Sequence, residues 1–594
     1  MATLGGKFLF EQPLQCDGDT VSIGDATTKV ESDSAQCVVV GASSTIGHVS
    51  THSVILGASS TVGNVSPNSA LVGYSNTLGT GSSGNFELGV SLSIGDGSPS
   101  NVLIGQTTSI GNGASFISAI ASTSAFGATS GSYGVFHGTN LTVTRPDHTI
   151  LIGHTGTVGT GSAYTTSLGT NITLGTTVTL STAIGHTISL ADGSTESVFI
   201  GRRLATAAGS SQNLAIGSGF AGNLLGIANT LNVFVGFATA AAFGNGNSRC
   251  VVAGYGNSLV DGCTNTLAMM GATVLSGCSQ SVVIGTSSCS SASSVVIGPT
   301  CSLGLTSEGS VVIGNTCTVG AASNGCFVSG QSSNIGGSCS GSVAIGQTCA
   351  IAAGSSQSTA IAGSTVGTGS TGSVAIGQGT VGDTSPGSVA IGGSTVGADN
   401  TSSMALAAAT VGATCTHAIA ISGTIPTGCD YSFVVFGGLG ANSDECVLIG
   451  HNAHIGAPAG AGSSNNVCIG PSALIGDVCT LCIALGDTAV IPDNTTETVA
   501  VLGIATQSHE VFFGKAPSLA DPGHGVNLFH AVSTLLDAGN NQIDLFQFQD
   551  TLAALAGDTA MAILMKNAGG VLVLSHVQAL ASPAAGKLLL CVDP

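Results

Sequence analysis

Apolar triplets closed by a glycine recur through most of this chain, with small polar residues between them. Val38-Val39-Val40-Gly41, Val54-Ile55-Leu56-Gly57, Ala70-Leu71-Val72-Gly73 and Val102-Leu103-Ile104-Gly105 set the phrase, and their glycines share a 16-residue register. The beat returns at Gly153, Gly201, Gly298, Gly314, Gly346, Gly377, Gly392 and Gly450. A shorter apolar phrase follows six residues after many of these glycines, as in Ile46-Gly47, Val62-Gly63 and Ile94-Gly95. Such short runs, rich in Val and Ile, cannot sustain a helix and suit a pleated ladder. Glycine at the turns lets the chain reverse through backbone angles that side chains resist. A fixed period of this length marks a stacked-repeat architecture. The pattern therefore predicts an all-β, parallel β-solenoid of about 31 short coils. At ~4.8 Å per coil this makes a rod of roughly 140 Å.

The beat divides the chain. Residues 37–514 form the expected shaft. Residues 1–36 precede the first clear beat and read as a cap or attachment segment, because a solenoid needs closed ends. Residues 515–594 lose the rhythm and read as a small β-rich cap, trimerising element or tip. They hold the alternation Leu545-Phe546-Gln547-Phe548-Gln549 and a hairpin-like end at Gly570–Leu574 and Lys587–Cys591.

Neighbouring strand residues point to opposite faces. Placing the first and third triplet residues inside the coil puts the middle one outside. That middle residue is apolar almost throughout: Val39, Ile55, Leu71, Leu103, Leu151, Phe199, Phe234, Val283, Val312, Ala344, Ala375, Val435, Leu448 and Phe512. Glu87 and Ser167 are the exceptions. A strand that is apolar on both faces is buried on both. These middle residues are thus the candidate contacts between copies of the chain, since no helical segment offers a cover.

Composition narrows the function. The net charge is −20, from 29 acidic and 9 basic residues, which speaks against a nucleic-acid groove and an anionic membrane surface. Hydrophobic residues make up 43% of the chain, too many for a disordered linker. The N-terminal stretch lacks the charged-then-apolar pattern of a secretory signal, and no run is long and apolar enough for a membrane helix, so assembly in a cytoplasm is expected.

Of 18 cysteines, Cys301, Cys317 and Cys349 sit three residues after a repeat glycine, where Ser44, Ser60, Asn76 and Thr108 sit in earlier coils. Small buried thiols in a polar column are the leading reading; inter-coil disulfides and metal binding are the others. The lone pair Cys479-Thr-Leu-Cys482 lacks the second pair of a zinc site. His451 and His454 fall in an expected turn. Arg202, Arg203 and Arg249 lie in stretches, Arg202–Gln212 and Ala238–Arg249, that read as longer loops able to bind something. No catalytic constellation or cofactor motif is present, so the chain reads as a non-enzyme without cofactor or metal.

The phrases Ser342-Val343-Ala344-Ile345-Gly346, Ser373-Val374-Ala375-Ile376-Gly377 and Ser388-Val389-Ala390-Ile391-Gly392 resemble the head repeats of trimeric autotransporter adhesins of the Yersinia adhesin type. The resemblance covers roughly residues 37–514. It implies left-handed parallel β-rolls with three chains around one axis. Similar rolls occur in phage and viral fibres. The family's signal peptide, heptad stalk and membrane barrel have no counterpart here. The expected function is a homotrimeric fibre or spike of a virus or phage, joined to a capsid or tail component at one end and touching a host-surface glycan or protein. The alternative is a cell-surface or secreted adhesin or filament subunit.

Overall fold

The computed structural model describes residues 19–505 except 128–131, 146, 220–223, 238–242 and 457–461, with the backbone of short strands beyond those limits. It is all-β, and among the described residues there is no helix. Two compact units divide it, Met1–Ser302 and Leu303–Pro594. Together they hold a parallel β-solenoid of about 29 turns.

In the first unit the parallel ladder begins earlier than the triplets suggested. Val21-Ser22-Ile23 already pairs with Val38-Val39-Val40. From there each triplet pairs with the next in unbroken register, for instance Leu71 with Ile55 and Glu87 with Leu71. A second ladder of two-residue strands runs beside it, Thr61–Val62 against Thr45–Ile46 and Thr77–Leu78. At Ser132–Val143, Thr149–Val158, Thr166–Leu174, Thr182–Leu190 and Val198–Ala205 the two merge into long strands. The slot between them usually holds Ser, Asn or Thr. Ser44, for example, donates its hydroxyl to the Gly57 carbonyl. Leu141, Ile172, Ile188 and Leu204 fill that slot in the merged turns and have no group to compete for the backbone.

In the second unit the ladder runs from Val311–Asn315 through Val343–Gln347 and Val389–Ile391 to Val499–Val501. Glu510–Gly514 adds the last parallel strand, and Gly525–His530 pairs with it antiparallel, which ends the stacking. The expected features at 545–549, 570–574 and 587–591 fall largely outside the described residues.

The repeat glycines split into two kinds. Gly57 sits at φ +147°, and a Cβ there would meet the Gly73 carbonyl of the next turn. Gly377 instead adopts the left-handed conformation at φ +64°. The first kind is needed for close stacking, the second for the bend.

The alternation of the triplet is as expected, but its phase is the reverse. Val39, Ile55, Leu71, Leu103, Leu151, Phe199, Phe234 and Val283 in the first unit, and Val312, Ala344, Ala375 and Leu448 in the second, are fully buried inside their own coil. They are core, not contacts between copies. Val435 is the third residue of its triplet, because Phe433-Val434-Val435 pairs with Ile419-Ala420-Ile421, and Val434 takes the inner place. The side chain of Phe512 lies outside the described residues.

The reason is the polar residue just before the triplet. Ser53, Ser69, Asn85 and Asn101 are buried, so the inward series runs Ser69–Leu71 and leaves Ala70 and Val72 outside.

Candidate functional site

The interior is a set of stacked columns of small polar and apolar side chains. Ser50, Ser66, Ser82 and Ser98 form one. Each amide nitrogen donates to the hydroxyl of the preceding turn's serine, Ser66 to Ser50 at 3.0 Å and Ser82 to Ser66 at 3.0 Å. Each hydroxyl donates onward to the next turn's glycine carbonyl, Ser66 to Gly79 at 2.7 Å. Cysteines occupy the same places. Cys339 takes an amide bond from Ser355 at 3.3 Å and donates to Ala352 at 2.9 Å. Among the described residues sixteen cysteines are buried thiols outside any disulfide, Cys301, Cys317 and Cys349 among them, which agrees with thiols substituting for small polar groups. Burial pushes Cys263 up to about 11 and Cys468 up to about 12, so these thiols stay protonated and poorly nucleophilic. Cys479 and Cys482 both lie against the Thr495 hydroxyl, at 3.3 and 3.8 Å.

Among the described residues Glu87 is the one carboxylate in the core. It takes the middle triplet position between Leu71 and Leu103, and neither of its oxygens has a hydrogen-bond partner. Burial pushes its pKa to about 9. The hydroxyl of Ser167 is likewise buried and unpartnered.

His451 and His454 lie on the strand Val447–Ile455, not in a turn. His451 is exposed, whereas the Nδ1 of His454 is buried without a partner, so the two do not converge. Among the described residues no group of three or more His, Cys, Asp or Glu could hold a metal. Also among them, no helix is long and apolar enough to cross a membrane.

The outer surface is more informative. The first and third triplet residues face outward and are mostly Val, Ile and Leu. In the first unit Leu56 is 44% exposed and Ile120 46%, and Val102, Val235 and Val251 are similarly open. In the second unit Ile313, Ile345 and Ile469 continue the pattern. From Val38 to Ile297, and again from Val311 to Val501, this two-residue stripe contains no carboxylate, lysine or arginine.

Two unusual edges flank the stripe in the first unit. One is a corner of stacked rings, Phe116 on Tyr133 at 4.9 Å and His148 on Tyr164 at 4.4 Å between centroids. The other lies just beyond the repeat glycines, where His154, Thr170, His186 and Arg202 pair in successive turns. Arg202 and Arg203 are therefore on a strand, Val198–Ala205, and not in an extended loop. The arginines stand out in the sequence, whereas the histidines of the same edge, His186 and His154, stand 16 and 48 residues before Arg202 and are brought to it only by the stacking of turns.

No protein-family model matches the chain, and no curated protein matches it. Among solved structures a slight likeness is to UDP-N-acetylglucosamine O-acyltransferase from Moraxella catarrhalis, at 10% identity over 44% of this chain and 71% of that one. Its TM-score of 0.07 carries no argument about what this chain does.

Proposed function

We propose that this protein is a structural shaft, a homotrimeric fibre or spike of a virus or phage particle, whose copies meet along the outward stripe. The stripe carries the reading. An uncharged, half-exposed row of Val, Ile and Leu is costly in water and marks a contact surface. At roughly 100 Å² per turn, either unit offers on the order of 1,000 Å², against about 800 Å² per partner in a standard interface. A second copy is the best-fitting occupant, because only another ladder of the same ~4.8 Å rise can match it rung for rung. The three-chain state follows the resemblance of the Ser-Val-Ala-Ile-Gly repeats to trimeric adhesin heads. In this reading the chain acts by rigid reach and repeated weak surface contacts, without a catalytic step.

A cell-surface or secreted adhesin is the second reading, and the same resemblance favours it. Light scattering of the purified chain tests the assembly: the expected mass is three times the 57.3 kDa chain. A mass of one chain overturns it. Detection of the chain in purified particles separates the viral reading from the cellular one.

A further inference from the structure

The basic edge of the first unit carries Arg202 and Arg203, the one pair of adjacent basic residues in the sequence of this acidic chain. In the turns after Gly153, Gly169, Gly185 and Gly201, the outward pairs are His154-Thr155, Thr170-Asn171, His186-Thr187 and Arg202-Arg203. Thr170 is half-buried and the other seven are exposed. The strands bring them together in order, with His154 opposite Thr170, Thr170 opposite His186 and His186 opposite Arg202. Two of the chain's nine basic residues and two of its 13 histidines thus line four consecutive turns.

The strip is also held in place. His154 shares a hydrogen bond between its Nδ1 and the Thr155 hydroxyl at 2.9 Å, and His186 repeats it with Thr187 at 2.8 Å. Each bond fixes its ring and leaves Nε2 as the free edge. Among the described residues the Arg202 and Arg203 side chains have neither an ion-pair nor a hydrogen-bond partner. A bare arginine fork suits a planar anion such as a carboxylate or sulfate. Hydroxyl, amide and imidazole groups at neighbouring rungs suit the hydroxyls of a sugar. The rungs repeat at ~4.8 Å, close to the length of one pyranose unit in an extended chain.

The geometry points to this strip as a binding site for an acidic oligosaccharide lying along the turns, with its anionic group at Arg202 and Arg203. This deepens the surface-contact part of the reading above and rests on it for its biological setting. Two arginines in a chain of net charge −20 give too weak a field for a nucleic-acid backbone, so a sugar is the favoured ligand.

Calorimetric titration of the full chain at physiological salt tests this, with hyaluronan hexasaccharide (carboxylate only), heparin hexasaccharide (sulfate and carboxylate) and uncharged chitohexaose. At least one acidic sugar should bind and chitohexaose should not. Binding of hyaluronan assigns a carboxylate, and binding of heparin alone assigns a sulfate. Replacement of both arginines, R202S/R203S, should weaken binding about tenfold or more, the scale of one or two charge-assisted hydrogen bonds. H154A/H186A should weaken it several-fold. Circular dichroism should be unchanged in both variants, because all four side chains are exposed.

No binding of either acidic sugar, equal binding by the arginine variant, or tighter binding of a DNA oligonucleotide than of both sugars would overturn the proposal. The result is independent of the assembly test. A trimer that ignores acidic sugars sinks only this site, and a single chain that binds them sinks only the trimer.

Discussion

Glu87 sets a local limit on stability. Its carboxyl lies in a column of leucines and has no partner, so the folded turn holds it protonated, with a pKa near 9. In the unfolded chain it titrates near 4.3. Between these values the folded state keeps a proton that the unfolded state has released. Stability of these turns therefore falls as pH rises, by about 1.4 kcal/mol per unit, and the loss levels off above the folded value. Below about pH 4 the effect is absent. Hydrogen exchange corrected for its intrinsic rate should show Ala70–Tyr74, Phe86–Val90 and Val102–Gln106 less protected at pH 8.5 than at pH 5. Glu87→Leu should restore the leucine column and remove that difference. Equal protection of the parent protein at both pH values would show that the carboxyl has found a partner or water.

The serine columns act at the level of the turn. Where the strands stop pairing, Ser66 accepts from the Ser82 amide and donates to the Gly79 carbonyl, so one small hydroxyl satisfies two buried backbone groups. Ser66→Ala should strand both and cost about 1–3 kcal/mol, read as a lower denaturant midpoint. Ser66→Cys should cost less, since the Cys339 thiol already fills this role, accepting from the Ser355 amide and donating to the Ala352 carbonyl.

These columns also explain what the sequence conceals. The period, the parallel ladder and the short strands are legible because a Cβ at Gly57 would meet the Gly73 carbonyl of the next turn, so glycine recurs there with the period of the coil. The phase of the triplet is not, because the residues that set it, Ser69 and Asn85, are polar and look exposed. Only their backbone bonds, such as Asn101 to Asn85 at 2.7 Å, show that they belong inside. The basic edge was half legible. Arg202 and Arg203 stand out in a chain with few cations, but their neighbours His154 and His186 are joined to them only by stacking. Val21-Ser22-Ile23-Gly24 does not read as a first turn in the sequence because its middle residue is polar, although it pairs with Val38-Val39-Val40.

For the whole molecule the reversed phase separates the residues of the core from those of the proposed contact between copies. Residues such as Leu71 and Leu103 hold a single coil together, whereas Leu56, Leu88 and Ile120 face outward. A change to one set should leave the property of the other intact. Leu71→Ala removes a fully buried side chain and should cost about 2–5 kcal/mol, lowering the unfolding midpoint while the scattering mass stays at three chains. The triple change Leu56→Lys, Leu88→Lys, Ile120→Lys adds three like charges to each copy's stripe, where a partner would have to bury them. It should reduce the mass to one chain, or loosen the association enough to make it concentration-dependent, with the β-sheet circular dichroism unchanged. Unfolding of the parent should depend on protein concentration and that of the triple variant should not, because only association links stability to mass action. A triple variant that keeps the parental mass would place the contact between copies elsewhere and leave the stripe without a partner.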